Sequence, residues 1–157
     1  MNSPPFRDQT DAGSGCDLSF TATDIEARYI IQTIEQWLKG PVQDPEPRTD
    51  IVIAVSEALN NIVEHAYAGQ SPGPVKVCLY VVGTSAFVEF QDNGHPLPDG
   101  EPPVVDGIDL SGPIETLPEG GFGWFLIRKL VRSLRYERLE GRNRLVLEFA
   151  IVPDQAG

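Results

Sequence analysis

Glu57 and Asn61 stand four residues apart in a segment of helical periodicity, so a carboxylate and an amide point the same way. On a helical wheel Val55, Ala58, Leu59, Ile62 and Ala66 fall on one side, and Glu57, Asn60, Asn61 and Glu64 on the other. A carboxylate beside an amide oxygen can hold Mg²⁺ directly or through water, because that ion takes hard oxygen ligands and keeps several waters. The carboxylate can instead take a proton from a hydroxyl nucleophile. The competing reading is a solvated polar face. Two adjacent asparagines, mediocre helix formers, fit that reading poorly. The spacing from Glu57 favours Asn61 over Asn60 as the metal ligand.

Two further motifs follow in order. Asp92 stands where an apolar strand stops, in Asp92-Asn93-Gly94-His95-Pro96. This is ordinary turn chemistry, or a carboxylate that accepts a hydrogen bond from an exocyclic amine such as adenine N6, with Gly94 letting backbone approach the base. Gly120, Gly121 and Gly123 open a helix with no cap but glycine. Free N–H groups at such a start bind phosphate, helped by the helix dipole. The pattern is neither a P-loop nor the dinucleotide fingerprint, since no Gly-Lys-Ser/Thr follows and no strand leads in. His65 and His95 read as surface or packing histidines, and Trp124 and Phe125 as core. No Ser-His-Asp set or metal-ligand cluster is evident.

The elements that must position these groups are legible from period and punctuation. Residues 17–20 suggest an edge strand. Thr23 and Glu26 form a capping box for a helix carrying Ile30, Ile34, Trp37 and Leu38, ended by Gly40-Pro41. A linker with Pro41, Pro45 and Pro47 precedes a second helix over about 49–68. Residues 75–82 and 86–91 pair as a hairpin around Gly83. Residues 95–119 hold six prolines and three glycines without a period, which marks a functional or disordered loop. A third helix opens near Gly123 with Leu126, Ile127, Leu130, Val131 and Leu134 as its apolar stripe. Strands over 135–139 and 144–152 surround Gly141. Hairpins without a βαβ rhythm predict an α+β fold: a two-layer sandwich with a mostly antiparallel sheet covered on one face by about three helices.

A chain of 157 residues suits one domain, read here as a flexible tail over 1–16 and a single domain over 17–152. The tail lacks the apolar core of a secretory signal, and no apolar run suffices to span a membrane, which points to the cytoplasm. Cys16 and Cys78 have no metal or redox spacing and read as idle thiols. A net charge of −11 argues against a nucleic-acid partner. Seven of the twelve basic residues fall between Arg128 and Arg144. They are solvated surface or a docking face for an acidic protein.

The ordered set Glu57-x-x-x-Asn61, Asp92-x-Gly94-x-Pro96 and Gly121-x-Gly123 resembles the N, G1 and G2 boxes of the GHKL ATPase superfamily. The stretches 56–67 and 121–127 are most similar to the anti-sigma-factor serine kinases of the RsbW type. That resemblance implies a Bergerat-type fold binding ATP and Mg²⁺, with residues 95–119 as the ATP lid. Asn61 would coordinate the metal, Asp92 would read adenine and Gly94 would shape the base pocket. Gly121 and Gly123 would contact phosphates, and Glu57 would act as general base. The implied function is an ATP-dependent protein-serine kinase and anti-sigma factor in a partner-switching pathway. It would phosphorylate a serine of a small STAS-domain antagonist, sequester a sigma factor and form a homodimer. The sequence departs from the family at Pro96-Leu97-Pro98-Asp99, where Pro-Phe-Asp-Pro is usual. A non-catalytic, nucleotide-gated regulator-binding module is the alternative. The ATPase part of a histidine-kinase system is a third reading, which lacks a phosphoacceptor helix pair here.

Overall fold

The computed structural model describes residues 15–104 and 122–152. The elements run β1 (Gly15–Thr21), α1 (Asp24–Leu38), α2 (Pro45–Asn61), a π-helical turn (Ile62–Ala66), β2 (Pro74–Val82), β3 (Ser85–Asp92), α3 (Phe122–Leu130), β4 (Ser133–Leu139) and β5 (Arg142–Ala150). The five strands form one sheet in the order β1-β2-β3-β5-β4, every neighbouring pair antiparallel. Helix-facing strand residues Val77, Leu79, Val88, Phe90, Leu147 and Phe149 join Ile34, Leu38, Ile51 and Leu59 of α1 and α2 in one core. This is the two-layer α+β sandwich that the hairpin pattern predicts.

Several boundaries differ from the sequence reading. β1 begins at Gly15, so Gly15 and Cys16 belong to the edge strand and not to a tail ending at residue 16. The remainder of that tail lies outside the described residues, as do residues 105–119 of the lid.

α2 begins at Pro45 and not near residue 49. The first-turn N–H groups of a helix have no intrahelical acceptor, so a proline at N1 loses no bond. The Asp44 side chain caps the start by accepting from the Glu46 N–H at 3.1 Å.

β4 and β5 each begin two residues early, at Ser133 and Arg142. Leu134 therefore extends the core from a strand and not from the third helix. A two-residue turn, Glu140-Gly141, joins the strands with φ of 52° and 77°. Left-handed backbone at both positions matches the twist of a tight hairpin.

At least four of the seven clustered cations are engaged by hydrogen bonds within the chain itself. Arg128 donates to the carbonyls of Pro102 and Pro103 at 2.8 and 3.1 Å. Arg132 bonds the Ser85 hydroxyl at 3.0 Å, and Arg138 donates to the Gly94 carbonyl. Arg144 meets the buried Glu89 carboxylate at 2.7 and 3.0 Å. Much of the basic patch is thus internal fastening between α3, the β4–β5 hairpin and the rest of the fold.

Candidate functional site

α2, α3 and the adjoining ends of β3, β4 and β5 enclose a cavity of about 400 Å³, within the size range of small-molecule sites. Its apolar wall is built by Ala58 of α2, Ile62 of the π-helical turn, Phe90 and Leu145 from the sheet, and Trp124 from α3. The polar groups converging on it include Asn61, Asp92, Tyr136 and Asn143. Trp124, read from sequence as core, is indeed buried, and it also walls the cavity.

Asp92 closes β3 on the helix-facing side, and only 6% of it is exposed. Burial pushes its carboxyl above the usual range, against the lowering effects of bonds from Asn143 and Gly94 and the nearby Arg138 guanidinium. One oxygen, Oδ1, accepts both bonds: from the Gly94 N–H at 2.9 Å and from Asn143 Nδ2 at 2.8 Å. Asn143 sits directly across the ladder from Asp92 in β5. Its Nδ2 also donates to the His95 carbonyl at 2.8 Å. Its Oδ1 accepts from the Tyr136 hydroxyl at 2.6 Å and from Arg138 at 3.0 Å. Tyr136 in turn accepts from the Leu97 N–H at 3.0 Å. The β4–β5 hairpin thereby grips the loop that leaves β3.

Gly94 lies against the end of the π-helical turn. A β-carbon there would fall 2.2 Å from the carbonyl oxygen of Ala66 and 2.5 Å from its carbon. The next residue, His95, donates its N–H to that same carbonyl at 2.6 Å. Only glycine fits this close approach of two backbones. The π-helical turn, a feature common at functional sites, begins directly after Asn61.

Glu57 and Asn61 meet the start of α3. A β-carbon on Gly123 would lie 2.8 Å from Glu57 Oε2 and 3.9 Å from Asn61 Nδ2. Glu57 is partly buried, and its carboxyl is raised first by that burial and second by the negative charge of Glu64. Asn61 lines the cavity, whereas Asn60 is exposed. The Nδ2 of Asn61 is buried and has no hydrogen-bond partner among the described residues. That amide, free to turn its oxygen, and the adjacent carboxylate form a hard donor pair fit for Mg²⁺. Among the described residues no cluster of three or more His, Cys, Asp or Glu could cage a metal. A pair with few protein ligands suits an ion that keeps its waters and shares substrate phosphates.

Of the predicted residues, Asn61 and Asp92 line the cavity, Glu57 and Gly123 meet beside Asn61, and Gly94 bonds Asp92. Gly121 lies outside the described residues. His65, largely exposed beside Glu64, and His95, whose Nε2 lies 2.8 Å from the Ala68 carbonyl, read from sequence as surface or packing residues, and both also line the cavity. Sequence reasoning missed Asn143, Tyr136 and Arg138. Asn143 reads as turn because it follows Gly141-Arg142. The available signal was its alternation with Leu145, Leu147 and Phe149, which puts a polar residue on the core face of a strand.

Residues 20–149 match the family described as histidine kinase-like ATPase domain. The serine/threonine-protein kinase BtrW of Bordetella bronchiseptica is 29% identical over 145 residues, covering 88% of this chain and 94% of that protein. The serine-protein kinase RsbW of Bacillus thuringiensis is 32% identical over 101 residues, covering 64% of this chain and 62% of RsbW, so the match spans less than two thirds of that relative. Among solved structures, the RsbU and RsbW domains of a Mycobacterium tuberculosis protein superpose with a TM-score of 0.64 at 22% identity, over 90% of this chain and 34% of that one. The SiaB–SiaC complex of Pseudomonas aeruginosa gives a TM-score of 0.58 at 20% identity, over 85% and 89%. At such identities these two structures speak to the fold.

Proposed function

The chain belongs to the histidine kinase-like ATPase domain family, and on that premise we propose that it is an ATP-dependent protein-serine kinase that acts on a small partner protein. The observation that carries the reading is that Glu57 and Gly123 meet beside Asn61, which lines the same cavity as Asp92. An adenine amine finds its acceptor in Asp92, and the phosphates extend toward the start of α3. Asn61 is the residue that would hold Mg²⁺, directly or through water. A bound ion would supply charge neutralisation at the phosphates. Glu57 orients the attacking serine hydroxyl and accepts its proton, and the raised carboxyl makes it a stronger base for that task. Phosphoryl transfer asks for positioning, neutralised charge and an oriented nucleophile.

The kinases BtrW and RsbW among the relatives support serine as the acceptor. The wider reading is a partner-switching anti-sigma kinase that phosphorylates a STAS-domain antagonist and, as a homodimer, holds a sigma factor in the cytoplasm. Among the described residues no helix is long and apolar enough to cross a membrane.

Two assays test this. Melting is followed with and without ATP and Mg²⁺. Labelled ATP is then incubated with the protein and a STAS-domain protein from the same genome. An upward shift followed by acid-stable phosphoserine on the partner is expected. Intact ATP binding with no transfer to any such partner means a nucleotide-gated binding module. Acid-labile label on histidine points to a histidine-kinase system.

A further inference from the structure

The base end of the cavity carries a restriction that the reading of Asp92 as an adenine acceptor does not by itself contain. A carboxylate has two oxygens, each with two lone-pair positions. In Asp92 both positions on Oδ1 are filled by the chain, one by the Gly94 N–H and one by Asn143 Nδ2. No described hydrogen bond reaches Oδ2. Asn143 cannot turn away to serve a ligand, because all four of its hydrogen-bonding positions are used. Two donors go to Asp92 and the His95 carbonyl, and two acceptor sites go to Tyr136 and Arg138. The asparagine is buried, with 6% exposure.

We propose that Asn143 is the specificity-determining positioning residue of this site: by filling Asp92 Oδ1 it leaves a single carboxylate oxygen to the base, which suits the lone exocyclic amine of a 6-aminopurine and disfavours guanine. Guanine offers two adjacent donors, N1–H and the 2-amino group, spaced to engage both oxygens of a carboxylate as a fork. With Oδ1 saturated, one of those donors enters the pocket unpaired, and a buried unpaired donor costs more than a missing contact. Adenine leaves nothing unpaired against Asp92, since one amine N–H meets Oδ2. The same asparagine, through the His95 carbonyl, fixes the loop backbone beside the base, so that Asp92 cannot rotate to present both oxygens.

This inference rests on the nucleotide reading above, and one titration separates the two. The affinities of the wild-type protein for Mg·ATP and Mg·GTP are measured by calorimetry, then repeated with Asn143→Ala and with Asn143→Val. Valine is a strong strand former and has no donor, which keeps the test available if the alanine variant folds poorly. Wild type is expected to favour ATP by about 100-fold or more, as a site that leaves a donor unpaired does. In either variant the ATP-to-GTP preference is expected to fall by about tenfold, as GTP gains the position that Asn143 vacates on Oδ1 while ATP loses a fixed carboxylate. A merely structural asparagine would weaken both nucleotides alike and leave the preference standing, and that result overturns the proposal. Wild type that binds neither nucleotide removes the nucleotide reading, and this inference with it.

Discussion

Gly123 and Glu57 are held so close that a β-carbon on the first would sit 2.8 Å from the carboxylate oxygen of the second. The glycine at the start of α3 therefore does more than expose N–H groups: it makes room for the carboxylate of α2. The obstruction that alanine would meet is the far end of a flexible side chain, so the fold can adjust and the carboxylate must move. Alanine also favours helix over glycine by about 1 kcal/mol in a helix interior, and by less near its start. Gly123→Ala is expected to melt at or above the wild-type temperature while phosphoryl transfer falls at least about tenfold, the usual consequence of a displaced general base. Parallel melting and transfer assays check this. A variant with full activity would mean that Glu57 has no fixed position to lose.

Gly94 gives the opposite result for the same substitution. Its forbidden neighbour is backbone, the Ala66 carbonyl at 2.2 Å, and that carbonyl is already bonded to the His95 N–H. Neither partner can give way without opening the junction between the π-helical turn and the loop after β3. Gly94→Ala is expected to cost about 1–3 kcal/mol or more in a denaturant titration, as overpacking does. ATP affinity should fall with it, because Asp92 loses the Gly94 N–H bond. Unchanged stability would show that the loop re-routes freely.

The carboxyl of Glu57 is raised by burial and, secondarily, by Glu64. A raised pKa means that the base is protonated over a wider acid range, so transfer should climb with pH through that raised value. Removing the neighbouring charge in Glu64→Gln lowers the pKa of Glu57, and the acid limb of the rate profile should move to lower pH. Glu64 is exposed, so the displacement should shrink as salt is added. Glu57→Gln should retain ATP binding and lose about 10²–10⁴ in transfer. Loss of ATP binding in that variant would remove the general-base assignment.

How much of this was legible in the sequence follows from what each signal encodes. Periodicity showed the faces of α2, and so the alignment of Glu57 with Asn61, because both lie within one helix. Strand patterning and turn residues showed the antiparallel sheet and the place of Asp92 at a strand end. The partner of Asp92 was hidden because Asn143 is 51 residues away, and only register across β3 and β5 brings them level. Pro45 and Pro47 read as linker because proline usually breaks helices, and the first-turn exception needs the Asp44 cap to be recognised. The clustered arginines read as surface because sequence shows charge and not the carbonyls of Pro102, Pro103 and Gly94 that they reach.

Asp92 sets binding against stability, and one substitution separates them. Its carboxyl is raised in the fold relative to 3.8, so the folded chain holds a proton more tightly there than the unfolded chain does. For such a group the stabilising contribution is present at pH below the unfolded value and is lost as pH rises through the raised value. Burial thus makes ionisation of this carboxyl costly in the free protein. Asp92→Asn removes the charge and keeps an oxygen for the Gly94 and Asn143 donors, while Oδ2 becomes an NH₂ group that cannot accept from an amine. The free variant should melt no lower than wild type at pH 7, and its advantage should narrow as pH falls toward the carboxylate range. ATP with Mg²⁺ at 100 times its Kd should stabilise wild type by about 2.7 kcal/mol, a rise on the order of 5–10 °C for a domain of this size. The variant should show almost none of it. Should Asp92→Asn keep the full ATP-dependent rise, the base is read by some other group, and the cavity end at Asp92 is not where the amine sits.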